Sequence, residues 1–359
     1  MSTFTGSVSK DDQYRLPINV KPTHYDVTIK TDLENLEFAG FVKISVDVVD
    51  ETSSITLNTS ALELGKASIY SDALKIEQEE SGGSFDSTSE RVTYVFLKSL
   101  PAGSKAQLKL GFSAKLTGSM SGYYKSMYEV DGKQKAYALT QFEPTAARRA
   151  FPCWDEPLLK ATFGVTLISR ADTVNLSNMP AISEQVYSAA AAKPNEHPDL
   201  AKLYSTLDNT WKITQFQDTP PMSTYIVAFA NGHFEYLEKS VKMPLSGKEL
   251  PLRIYGTWID VGLVSQFSLG NAATADVIHQ AQFALDVKAS VLPHYERVFD
   301  VEYPLPKLDT LVLGAVENWG LITGRTNAFL LDPKKADLQA KKWVAAVQSH
   351  EVAHMWYGF

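Results

Sequence analysis

The residue types best suited to chemistry stand near the C-terminal end, in the pentapeptide His350-Glu351-Val352-Ala353-His354. On a helix, positions four apart differ in direction by about 40°, so the two histidines project side by side and can bind one metal ion. Glu351 points about 100° away. From there it can take a proton from a zinc-bound water and pass it to a leaving amine. This pattern indicates a zinc hydrolase; the alternative is a coincidence of two histidines and a glutamate on an ordinary amphipathic helix.

A second candidate is Glu317, which follows a short apolar run at residues 310–313. A carboxylate at a strand edge beside a zinc site can hold a cation, and the cation that a peptide offers is its free α-amino terminus. That interpretation predicts an exopeptidase. The alternative is an ordinary loop in which glycine makes the turn and the Glu-Asn pair faces water. The segment reads Gly314, Ala315, Val316, Glu317, Asn318, Trp319 and Gly320.

A third segment covers residues 141–157 and contains Gln141 and Glu143. It is punctuated by prolines and carries paired charges. Structural ion pairs are the commonest use of such residues, so this segment by itself indicates no chemistry.

The first part of the chain consists of short segments in which apolar and polar residues alternate. The alternation is clear at residues 25–29 and 42–48, and strand patterns recur up to residues 224–229. A period of two is typical of half-buried strands. Many short strands without intervening helices predict an antiparallel β saddle or sandwich.

The last part of the chain has helical patterns, and one of them carries the histidine pair. Residues 270–295 place apolar residues three and four apart, as an amphipathic helix does. A second helix is predicted over residues 333–357, with Asp332 as its N-cap and Pro333 in its first turn. The predicted fold class is therefore α+β.

Composition excludes several classes of function. The 359 residues carry a net charge of −7, and no run of five Lys or Arg marks a surface for nucleic acid or anionic membrane. No apolar stretch approaches the roughly 18 residues that a membrane-spanning helix needs. The single cysteine, Cys153, cannot close an internal disulfide or form a thiolate metal cluster, so a metal site must use nitrogen and oxygen ligands. We expect a cytoplasmic protein without nucleic-acid or membrane partners.

Together the three segments resemble the zinc aminopeptidases that include aminopeptidase N, puromycin-sensitive aminopeptidase and leukotriene hydrolase. The similarity extends over most of residues 14–359, including residues 116–124, 221–229 and 303–309. It implies a saddle-shaped β domain followed by a thermolysin-like catalytic domain. We therefore expect a disordered tail at residues 1–13, the β domain at 14–236 and the catalytic domain at 237–359, ending after the helix with the histidines.

The resemblance also implies a role for the metal-site residues. His350 and His354 correspond to two zinc ligands, and Glu351 corresponds to the general base that activates water. The third protein ligand in the family is a glutamate on the next helix, which would lie beyond Phe359. One zinc ion per chain is expected, with this third ligand missing from the sequence.

The resemblance further implies the residues that bind substrate. Glu317 corresponds to the residue that binds the substrate's α-amino group, and the main chain beside it lies along the peptide. Gln141 and Glu143 correspond to β-domain residues that reach into the first specificity pocket. The predicted substrate-binding set is Gln141, Glu143, Gly314, Ala315, Val316, Glu317 and Asn318.

Two functional hypotheses follow. In the first, the sequence is the N-terminal part of a metallo-aminopeptidase, a hydrolase that removes N-terminal residues from peptides with metal-activated water. In the second, it is a catalytically inactive, truncated fragment that acts at most as a peptide- or partner-binding module.

Overall fold

The computed structural model describes residues 15–130, 132–188, 197–257, 277–313 and 317–357. The first strands in chain order are β1 Val20–Asp32, β2 Glu37–Val48, β3 Thr52–Asn58, β4 Glu63–Leu64, β5 Ser68–Ser71, β6 Ile76–Glu79, β7 Gly82–Asp86, β8 Arg91–Leu100, β9 Lys105–Lys115, β10 Gly122–Val130 and β11 Lys133–Gln141. The later strands are β12 Thr162–Arg170, β13 Val174–Ser177, β14 Ala181–Val186, β15 Trp211–Phe216, β16 Phe229–Gly232, β17 Phe234–Lys242, β18 Glu249–Thr257, β19 Leu308–Leu311 and β20 Leu321–Thr323.

The α-helices in the described ranges are α1 Pro198–Ser205, α2 Gln282–Phe299, α3 Thr326–Phe329 and α4 Leu338–Ala353. Short 3₁₀ turns cover Ala147–Arg149, Thr224–Ile226 and Val277–Ala281. Of the helices in the described ranges, none combines the length and apolar character needed to cross a membrane.

The largest sheet has nine strands, in the order β14-β15-β12-β1-β2-β9-β5-β6 with β4 beside β9. Its strands follow the predicted alternation, since Tyr25, Val27 and Ile29 are buried in β1 between half-buried polar residues. The sheet is antiparallel as predicted, except that β1 and β12 pair in parallel.

A three-stranded sheet, β3-β8-β7, shares one apolar core with the large sheet. Aromatic side chains dominate this core: Tyr25 stacks on Phe163 with ring centroids 4.8 Å apart, and its hydroxyl accepts a 3.1 Å hydrogen bond from the Trp154 N–H. The predicted β-sandwich character of the first part is confirmed.

A second core forms around the four-stranded sheet β17-β18-β19-β20 and the helices α2 and α4. In this sheet β17 and β18 are antiparallel, whereas β19 and β20 continue in parallel. A further cluster joins it to the four-stranded sheet β10-β11-β16-β13. Strands followed by helices on a mixed sheet confirm the predicted α+β class.

The last helix begins later than predicted. Asp337 is its N-cap, with a carboxylate that accepts a 2.8 Å hydrogen bond from the Ala340 N–H. Asp332 instead closes a separate turn, in which its carboxylate accepts from the Lys334 N–H at 2.9 Å. Both aspartates suit an N-cap, and the tertiary path of the chain selects the second.

Two other predicted elements also differ. Residues 224–229, predicted as a strand, begin as the 3₁₀ turn Thr224–Ile226, and strand pairing starts only at Phe229. The helix predicted over residues 270–295 is α2, which runs from Gln282 to Phe299 after a 3₁₀ turn. Residues 270–276 of that prediction lie outside the described ranges, as does the predicted tail at residues 1–13.

The buried face of α4 contains one polar residue. Val344, Gln348 and Val352 recur at a spacing of four and are buried. Within the described part of the chain, neither amide atom of Gln348 has a hydrogen-bond partner. A buried amide without partners costs about 1–3 kcal/mol relative to an apolar side chain of the same shape.

We therefore expect Gln348→Met to raise the free energy of unfolding by about 1–2 kcal/mol, because methionine keeps the shape and removes the unpaired polar atoms. Gln339→Met is the matched control on the exposed side of the same helix and should change stability by less than about 0.5 kcal/mol. Urea unfolding followed by circular dichroism measures both variants. A loss of stability in Gln348→Met would show that the amide has a partner.

Candidate active site

The end of α4 brings its two histidines together on the side opposite the buried face. The Nε2 atoms of His350 and His354 are 3.1 Å apart, and the ring centroids are separated by 4.7 Å. His354 closes the helix, with its N–H directed at the His350 carbonyl oxygen. His350 is exposed and His354 is half-buried, so both rings can be reached from outside.

This pair fits half of a zinc site. Two Zn–N bonds of about 2.0–2.1 Å at a tetrahedral angle place their nitrogens roughly 3.3 Å apart, close to the observed separation. Without a metal, the same separation suits an N–H···N hydrogen bond between the rings. Among the described residues, no group of three His, Cys, Asp or Glu side chains converges as a metal site. The histidine pair could therefore supply two of the three protein ligands that a catalytic zinc ion usually has.

Glu351 lies beside the pair, on α4, and is half-buried. Burial, with a further contribution from the charge of Glu317, raises the pKa of Glu351 to about 7. A carboxyl group with this pKa is better matched to proton transfer near neutral pH than an exposed glutamate.

Glu143 and Tyr225 face the same region from the β-rich part of the chain. Burial and the charge of Glu317 raise the pKa of Glu143, while His354 acts in the opposite direction. Burial raises the pKa of Tyr225, and the charges of Glu317 and Glu143 add to that shift. Five groups from four separate segments are thus close enough to interact electrostatically.

Tyr225 was not among the candidate residues that the sequence indicated. It lies in the segment 221–229, which carries part of the family resemblance, but the apolar residues around it predict a strand. In the structure it occupies the 3₁₀ turn before β16.

The other predicted substrate-binding residues are described only in part. Gln141 ends β11, and its Oε1 is buried without a hydrogen-bond partner in the described ranges. Asn318 is 1% exposed and donates to Thr323 Oγ1 at 3.4 Å, which is a structural contact. Residues 314–316, which include Gly314, Ala315 and Val316, lie outside the described ranges. The substrate roles of all these residues stay predictions.

The loop that carries Glu317 is bonded to the end of α4. The Trp319 indole N–H donates a 3.1 Å hydrogen bond to the carbonyl oxygen of Met355, the residue after His354. The position of Glu317 is therefore linked to the end of α4 by a contact two residues away along the loop.

A second cluster has the residue types of a nucleophilic triad, but the hydrogen bonds of its histidine and serine do not suit that chemistry. His197 Nε2 lies 3.4 Å from Ser68 Oγ, and His197 Nδ1 lies 3.9 Å from Asp199. The Asp199 main-chain N–H donates to His197 Nδ1, which leaves the ring proton on Nε2, facing the serine. Ser68 donates its own hydroxyl hydrogen to Glu77. His197 therefore caps α1 and cannot act as a base toward Ser68.

Two family models match the chain. The Peptidase M1 N-terminal domain matches residues 21–195, and the Peptidase family M1 domain matches residues 283–359. The second match includes the helix with the histidine pair and the loop with Glu317. Together the two matches cover both the β-rich part and the helical part of the chain.

Similar proteins are aminopeptidases from plants, fungi and animals. The chain is 35% identical over 353 residues to Aminopeptidase M1-A of Oryza sativa subsp. japonica, covering 96% of this chain and 35% of the relative. It is 34% identical over 362 residues to Aminopeptidase 2 of Candida albicans, covering 99% and 34%. It is 34% identical over 351 residues to Endoplasmic reticulum aminopeptidase 1 of Rattus norvegicus, covering 96% and 33%.

The chain thus spans about a third of the length of the curated relatives it matches. The two family models lead to the same assignment as the relatives, which align over nearly all of this chain. The chain belongs to the M1 family of peptidases.

Proposed function

We propose that this chain contributes the site of a zinc-dependent aminopeptidase, which removes N-terminal residues from peptides by attack of an activated water. One observation carries the proposal: Glu143, Glu317 and Glu351 converge beside two imidazoles whose separation suits a shared ion. Carboxylates that repel one another bind cations well. The two cations that the reaction requires are the metal and the substrate's α-ammonium.

In this mechanism His350 and His354 hold the zinc ion. When bound, zinc would polarise the scissile carbonyl and favour water attack at neutral pH. Glu351 takes the proton from the attacking water and then gives it to the leaving amine. Its raised pKa suits both steps, because the group must accept a proton and release it again.

Glu317 and Glu143 bind the α-ammonium group of the substrate. Each accepts a charge-assisted hydrogen bond from the ammonium, and together they exclude peptides whose N-terminus is acylated. The substrates are peptides with a free N-terminus. We place the β domain at residues 14–236 and the catalytic part at residues 237–359, and the enzyme in the cytoplasm.

A second candidate function is a non-catalytic peptide-binding module. It is favoured by the finding that only two histidines, and no third ligand within the described ranges, form the metal site. Zinc binding and hydrolysis separate the two candidates.

We expect the full chain to bind about one equivalent of zinc, because a tetrahedral zinc ion accepts two imidazole ligands together with further donors. His354→Ala should weaken zinc binding by at least about 10- to 100-fold, because removing only a hydrogen-bond partner of a metal ligand already costs roughly that much affinity. His294→Ala, an exposed histidine on α2, is the control. Competition with a chromogenic chelator gives the affinities, and equal affinity for the two variants would contradict the metal site.

Glu351→Gln should lower the hydrolysis of leucine p-nitroanilide by about 10²- to 10⁴-fold, because the amide cannot accept the proton of water. Zinc should remain bound, since the side chain is not a ligand in this proposal. Lys342→Gln, exposed on the same helix, controls for the substitution itself. Hydrolysis retained in Glu351→Gln would refute the general-base role, and hydrolysis absent from the unsubstituted chain would favour the binding module.

Glu317→Gln should reduce the preference for leucinamide over N-acetylleucinamide by about 10- to 100-fold, the value of one charge-assisted hydrogen bond. Calorimetry on the zinc-loaded chain measures both affinities. Glu302→Gln, an exposed carboxylate outside the site, is the control. An unchanged preference in Glu317→Gln would assign recognition of the ammonium group to another residue.

A further inference from the structure

Asn178, the residue after β13, makes three hydrogen bonds in the protein interior. The residue is 1% exposed. The two amide hydrogens are donated to the carbonyl oxygens of Ile226, at 2.9 Å, and Trp319, at 2.8 Å. Its Oδ1 accepts a 2.8 Å hydrogen bond from the Ala228 N–H. One side chain thus joins the turn beside Tyr225 to the loop beside Glu317.

The main chain of the same loop rests directly on Asn178. Gly320 has a φ of +83°, and a Cβ at this position would lie 2.4 Å from the Asn178 carbonyl oxygen. Only glycine adopts this conformation and this approach without strain. The buried ammonium of Lys307 adds a second tie, because it donates to Ser177 O at 2.8 Å and to Gly320 O at 2.7 Å.

Trp319 extends this connection to the end of α4. Its indole N–H bonds to Met355 O, and its ring packs at the edge of both large apolar cores. The loop is therefore held from two directions, by Asn178 at the end of β13 and by the end of α4. Asn178 is itself held by the turn Thr224–Ile226. Glu317 stands two residues before the point where these contacts meet.

An aminopeptidase needs a fixed distance between the group that binds the ammonium and the residues that act on the scissile carbonyl. In an N-terminal residue the ammonium nitrogen and the scissile carbonyl carbon are separated by one Cα, a span of about 2.5 Å that cannot stretch. The substrate cannot compensate if the ammonium site moves relative to α4. A displacement of roughly 1 Å between such groups costs on the order of a hundredfold in rate.

We propose that Asn178 is a positioning residue for the ammonium site: it fixes Glu317 relative to the histidine pair by holding the Trp319 carbonyl. It touches no substrate and acts through the loop. This inference rests on the proposed function in one respect, the role of Glu317. Its structural part, the placement of Trp319 by Asn178, can be measured independently of that role.

Ser177→Ala is the matched control for Asn178→Ala. Ser177 is 3% exposed, and its hydroxyl donates to Ala228 O at 2.9 Å, a bond between β13 and the residue before β16. Both substitutions remove buried hydrogen bonds at neighbouring positions. Of these two residues, only Asn178 has a side chain bonded to the loop of Glu317.

The experiment uses the full chain labelled with 5-fluorotryptophan. It contains 6 Trp, so the Trp319 fluorine resonance is assigned with Trp319→Phe. In Asn178→Ala the Trp319 resonance should shift and broaden, and the preference for leucinamide over N-acetylleucinamide should fall about tenfold, while zinc affinity stays unchanged. In Ser177→Ala the Trp319 resonance and the leucinamide preference should match those of the unsubstituted chain.

An unmoved Trp319 resonance in Asn178→Ala, or an equal loss of leucinamide preference in the two variants, would overturn the inference. If the unsubstituted chain does not distinguish the two amides, the proposed role of Glu317 fails, and Trp319 alone decides whether Asn178 places the loop. If Asn178→Ala does not fold, Gly320→Ala displaces the same loop from the other side and should give the same two changes.

Discussion

Mutual repulsion among carboxylates is the constraint on which this site depends. Glu317 raises the pKa of both Glu143 and Glu351, and burial acts in the same direction on each. Left alone, such a cluster would relax by separating or by taking up protons. A cation that enters it interacts favourably with several negative groups at once. The arrangement is therefore unfavourable for the chain by itself and becomes favourable when cations bind, as the proposed function requires.

Groups that repel one another remain close only if the framework around them does not yield. Beneath the loop, Lys307 and Asp309 form a buried ion pair at 2.9 Å. Burial lowers the pKa of Lys307, and Asp309 opposes that shift. Such a pair adds little net stability over apolar residues, but breaking it leaves a buried charge without compensation. Lys307 also donates to the Gly320 carbonyl oxygen at 2.7 Å, so the paired ammonium links the residue before β19 to the loop of Glu317.

Local patterns in the sequence predicted the elements that depend on near neighbours. The histidine pair needs only a helix and a spacing of four, and the strands need only alternation, so both could be recognised without tertiary information. The start of α4 could not, because Asp332 and Asp337 carry the same capping signal. Residues around Asp332 form their own turn before the helix, and nothing in the local sequence ranks one aspartate above the other.

The residues that sequence reasoning missed act across long distances in the chain. Asn178 looks like an ordinary polar residue after a strand, and Tyr225 looks like part of an apolar strand. Their importance appears only when β13, the turn before β16 and the loop of Glu317 meet at one point. The resemblance to a family can indicate Glu143 and Glu317, because it implies a role in substrate binding for each. It does not indicate Asn178, whose effect on chemistry passes through the main chain of another segment.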